Sequence, residues 1–90
     1  MFYIIHCFDK PDSALRQQYL KQHRDYLDAQ PLNVFTSGPL LDDSGENMIG
    51  SLLIMECESR EQINQFIKGD PFFQKGLFES INITRWHKRQ

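Results

Sequence analysis

Leu15-Arg16-Gln17-Gln18-Tyr19-Leu20-Lys21-Gln22-His23-Arg24-Asp25-Tyr26-Leu27 sets the reading of the whole chain. Counted by fours and threes, Leu15, Tyr19, His23 and Tyr26 fall in one stripe, with Leu20 and Leu27 beside it. That spacing predicts an amphipathic helix with this face turned inward. An ionisable imidazole therefore stands among apolar neighbours. Such a histidine is either a core residue satisfied by a hydrogen bond or a group held in a pocket to move a proton. Lys10-Pro11-Asp12-Ser13 leads into the helix as a turn, with Asp12 or Ser13 as N-cap. The helix runs to about Ala29, because Pro31 prevents it from continuing.

Working outward, Phe2 to Phe8 reads as a strand that is apolar on both faces and hence covered on both sides. After the helix, Leu32 to Ser37 forms a second strand, ended by Gly38-Pro39. Leu41 to Asn47 has the composition of an exposed loop or hairpin turn, and Ser51 to Cys57 is a third strand. Ser59 with Gln62 makes a capping box for a second helix through Ile63, Phe66 and Ile67. It stops at Gly69, before Asp70-Pro71. An irregular stretch from Phe72 to Ser80 leads to a last strand around Ile81 to Trp86. The order strand, helix, strand, strand, helix, strand predicts an α+β, ferredoxin-like sheet. It is antiparallel, in strand order 4-1-3-2, with both helices on one face. The other face stays largely apolar, and a second copy of the chain is its expected cover, giving a dimeric α/β barrel.

The 90 residues predict one domain, 1–90. A chain of this size buries only about 60–65% of its unfolded surface, while 40% of its residues are hydrophobic and seven are Phe. Partnering would bury the surplus. With a net charge of −2 and scattered Lys and Arg, no basic face for nucleic acid is present. No apolar run approaches the roughly 18 residues of a membrane span, and no signal peptide precedes the first strand, so the expected location is cytoplasmic. Cys7 and Cys57 are isolated and expected as free thiols. In the predicted sheet they lie about five residues, or roughly 16 Å, apart. A disulfide needs Cα atoms within about 7 Å.

Four features in order carry a family resemblance: Phe2-Tyr3-Ile4-Ile5 leading to Asp9-Lys10-Pro11, His23 late in the first helix, Ser37-Gly38-Pro39-Leu40, and Gly69-Asp70-Pro71-Phe72. Over nearly its whole length the chain resembles the YCII-related (YciI-like) family of small dimeric α/β-barrel proteins. The resemblance implies a homodimer through the open sheet face and a histidine–aspartate dyad. By motif these are His23 and Asp70. It also implies proton-transfer chemistry on small cyclic or phenolic compounds, of lyase (dehydrochlorinase) or isomerase type. Gln30-Pro31-Leu32-Asn33 stands where family members often carry a Gly-containing loop, which implies a different pocket entrance.

A carboxylate beside one ring nitrogen would fix the tautomer and leave the other to exchange a proton. No metal or organic cofactor is required. Asp70-Pro71 also reads as a plain helix-ending turn, and Asp9, at the end of the first strand, is the alternate partner. Ser37, Gly38 and Pro39 form a pocket wall or a simple turn. Pro71 and Phe72, with Phe73 and Phe78, roof a ring-binding pocket or pack a dimer. His6 lines an inter-subunit cavity or packs in an interface. Two other readings stand beside the enzyme: a non-catalytic ligand-binding or dimerisation module, and a cofactor-independent monooxygenase.

Overall fold

The structure, a computed structural model, describes residues 1–89. Its elements are β1 (Phe2–Asp9), α1 (Leu15–Asp28), β2 (Asn33–Leu41), β3 (Met48–Glu56), α2 (Arg60–Gly69), α3 (Pro71–Gln74) and β4 (Phe78–Trp86). The strands form one antiparallel sheet in the order β2-β3-β1-β4. This is the expected α+β, ferredoxin-like topology. No helix among the described residues is long and apolar enough to cross a membrane.

Alternation along β1 sorts its side chains between two environments. Tyr3, Ile5 and Cys7 are buried against the helices with Leu53, Met55, Ile63 and Phe66. Phe2, Ile4 and His6 are half-buried on the other face, and Phe8 is exposed there. Cys7 pairs across the ladder with Ser51, whereas Cys57 follows the far end of β3, where its N–H donates to the Met1 carbonyl. Both thiols are buried and free.

Several boundaries differ from the sequence reading. β2 continues through Gly38-Pro39 to Leu41 instead of ending at Ser37. It is an edge strand, where a proline without an N–H leaves no ladder bond unmade. β3 starts at Met48, three residues early, and β4 at Phe78. The stretch expected to be irregular contains α3, with Pro71 in its first turn and the Asp70 side chain accepting the Phe72 N–H. Ala14, not Asp12 or Ser13, is the N-cap of α1. Ser13 Oγ accepts the Leu15 N–H, and Asp12 takes a positive φ of 57°. In α2, Ser59 accepts from the Gln62 N–H as expected, but the Gln62 amide returns its bond to Glu58 N, one residue upstream. Gly69 lets α1 close on α2, since a Cβ there would collide with the Tyr26 hydroxyl, which donates to the Phe66 carbonyl.

Candidate active site

Two turns of α1 separate Arg16 from His23, so both project from one face toward the sheet. They are the two buried residues of the helix, at 4% and 6% exposure. Each meets a carboxylate. His23 Nδ1 lies 2.9 Å from Asp70 Oδ1, and both side chains are buried. Arg16 donates from Nε and Nη2 to the two oxygens of Asp9, at 2.6 and 2.8 Å, and from Nη2 to Ser51 Oγ at 2.9 Å. Asp9 thus closes a two-pronged bond with Arg16, and the carboxylate on His23 is Asp70.

Asp70 sits at the junction of α2 and α3, where its cap geometry fixes it. Oδ1 also accepts the Phe72 N–H at 3.0 Å. As a carboxylate it only accepts, so Nδ1 of His23 is the nitrogen that donates, and in the neutral ring Nε2 is left as an acceptor. Phe72, fully buried, stacks on the His23 ring at 4.1 Å and 14°, and the Arg16 guanidinium lies 4.7 Å from the centroid of the Phe72 ring. Phe78 meets Phe72 edge-on at 6.0 Å. Phe72 thus braces the histidine from behind, Pro71 and Phe72 are both absent from the cavity wall, and Phe73 points outward at 40% exposure. Beneath the cluster, burial pushes the Cys7 thiol up to about 12, with Asp70 adding to the rise and Arg16 opposing it. That thiol stays protonated at neutral pH.

A half-open cavity of about 180 Å³ lies between α1 and the β2–β3 edge. His23, Leu20 and Arg24 form one wall, Ser37, Gly38 and Pro39 the opposite one, and Ser51 and Leu53 belong to the floor. Nε2 of His23 makes no hydrogen bond among the described residues, nor is it sealed away from solvent. The Ser37–Pro39 segment therefore shares a cavity with His23, while Asp70 stands behind it. His6 is on the opposite face of the sheet, against Phe8 and across from Leu52. Three polar cavity residues were not singled out from sequence: Arg16, Ser51 and Arg24. Only Arg16 left a signal, a charge on the inward stripe seven residues before His23.

A buried carboxylate behind a histidine, with that histidine's free nitrogen at an open cavity, is an arrangement able to take and return protons. The chain belongs to the YCII-related domain family, which matches residues 1–87. Among solved structures it is similar to 5-chloro-2-hydroxyhydroquinone dehydrochlorinase (TftG) from Burkholderia phenoliruptrix AC1100, in complex with 2,5-dihydroxybenzoquinone. The TM-score is 0.87 at 34% identity, over 97% of this chain and 94% of that one. No curated protein matches it.

Proposed function

We propose that this chain is a cofactor-free acid–base enzyme acting on a small cyclic or phenolic compound, with His23 as proton carrier and Asp70 as its orienting carboxylate. The observation that carries this reading is the 2.9 Å His23–Asp70 contact, made by the ring nitrogen that faces away from the cavity. Nε2 takes a hydroxyl proton from the bound ring, and the freed electron pair moves into the ring. The imidazolium, held by Asp70, then returns the proton to a ring carbon. Release at that point is an isomerisation. Departure of a halide with its bonding pair, together with a second hydroxyl proton, is a dehydrohalogenation. Both routes are redox-neutral. The cavity, at about 180 Å³, is of the order of the ~150 Å³ that accommodates benzene in an engineered core. The likeness to a dehydrochlorinase of a hydroxyhydroquinone favours the elimination branch.

The protomers would pair through the open sheet face. Phe2, Phe35 and Trp86 cluster there, with ring centroids 5.7 to 6.3 Å apart, and Ile4, Leu52 and Ile54 are only half-buried. His6 would then be an interface residue.

Chloride release from chlorinated hydroxyhydroquinones tests the chemistry. Removing the proton carrier in His23→Gln is expected to lower the rate by about 10²–10⁴, and Asp70→Asn by less, since the base survives with a poorer orientation. Unchanged turnover in His23→Gln would sink the reading. Saturable binding without turnover, at residues of this cavity, would leave a ligand-binding module instead.

A further inference from the structure

The polar lining of the cavity is one-sided. Arg16, Arg24, Ser37, Ser51 and His23 reach it, and no carboxylate does. The two nearby acids are turned away: Asp9 is closed on Arg16 and Asp70 on His23. In a chain with a net charge of −2, that is a local reversal. Ser51 is the sharpest case. It is 2% exposed, and its oxygen receives a hydrogen bond from Arg16 Nη2 at 2.9 Å. With that oxygen occupied, its own O–H is left to donate. Arg24 stands exposed at the mouth and pairs with no carboxylate among the described residues. Leucines supply the apolar surface between them.

We infer that the cavity holds an acidic ring compound as its anion once His23 has taken the hydroxyl proton, with the Ser51 hydroxyl and the Arg24 guanidinium binding the ionised oxygen. This rests on the proposed function and assigns the groups that hold its substrate. Transfer of the ring hydroxyl proton to His23 Nε2 breaks one O–H bond and makes one N–H bond. The resulting charges are each answered, the imidazolium by Asp70 and the phenolate by Ser51 and Arg24. Arg16 touches no substrate in this scheme and is a positioning residue for the Ser51 hydroxyl.

The test uses two rings of nearly equal shape at pH 8, 4-nitrophenol, ionised there, and neutral 4-nitroaniline. Binding is followed by NMR shifts of cavity residues. The phenolate is expected to bind about tenfold tighter, because hydrogen bonds to an ionised acceptor are roughly twice as strong as neutral ones. Arg24→Gln, an exposed change that should leave folding intact, is expected to remove most of that preference, and Ser51→Ala the rest, with nitroaniline affinity little altered. Equal affinity for the two rings, a preference that survives both substitutions, or shifts confined to residues outside the cavity would each overturn the inference. The proposed chemistry fails separately, on His23→Gln turnover.

Discussion

One strand, β1, serves two unlike surfaces. On its helix-covered side, Cys7 and Asp9 run under Arg16, His23 and Asp70, and no buried side-chain nitrogen or oxygen among the described residues lacks a partner. On its open side, Phe2, Ile4, His6 and Phe8 are apolar apart from one histidine, and none is fully buried. The covered side holds its charges in pairs fixed by geometry, which is what a proton-moving site needs. The open side has apolar surface and, among the described residues, no ion pair, which is what a second surface would cover. The contrast between His23 and His6 follows: the same side chain is braced by a carboxylate on one side and tilted against a phenylalanine on the other.

The strongest way to break the covered side is Arg16→Ala. It strands the Asp9 carboxylate, whose side chain is only 10% exposed, and removes the Ser51 bond and the cation beside Phe72. Leaving one member of a buried pair unmatched costs about 3–5 kcal/mol, to be read from urea unfolding. Replacing both partners in Arg16→Met with Asp9→Leu should recover most of that loss, since well-packed apolar substitutes are often neutral. A cost below about 1 kcal/mol for the single change would mean that the pair behaves as a solvated one.

The difference between the two sides also explains what the sequence could reveal. The sheet order follows from element order and short connections, so it was legible before any geometry. His23 was legible because an imidazole breaks an apolar stripe. Its partner came by resemblance, as Asp70, with Asp9 kept as the alternate, because both end elements at the same edge of the sheet and only helix packing distinguishes them. Arg16 on the inward stripe looked like an ordinary helix charge, since its burial depends on Asp9 and Ser51, which lie 7 and 35 positions away. Ser51 and Arg24 gave no pattern at all. α3 was hidden because Asp-Pro is a common turn, and whether a helix follows depends on Phe72 finding the pocket behind His23.

On the open side the corresponding test is Ile4→Lys, which places a charge between Ile54 and Thr84 in the middle of the sheet. If two copies pair there, wild-type stability rises with protein concentration, and the variant loses that dependence together with about 1–2 kcal/mol. Sedimentation would show its mass fall to that of a single 10.7 kDa chain. A wild type that is already a monomer at every concentration would remove the open face from the proposal and leave the covered site untouched.

The smallest effect probes how dry the covered side is. Cys7 is 2% exposed, and burial raises its thiol from 9.0 to about 12. A folded value above the unfolded one means the group's stabilisation is complete below pH 9 and is lost as pH rises from 9 toward 12. Between pH 9 and 10 the wild type should therefore lose at most about 1 kcal/mol more than Cys7→Ala. Every other group is common to both proteins and cancels in the difference. The alanine variant carries a packing cost of its own, but that cost does not change with pH, so slopes rather than absolute stabilities are compared. Parallel slopes would show that solvent reaches Cys7 in the folded chain. The polar cluster above it would then be as wet as the open face, and the contrast between the two sides of β1 would be one of shape alone.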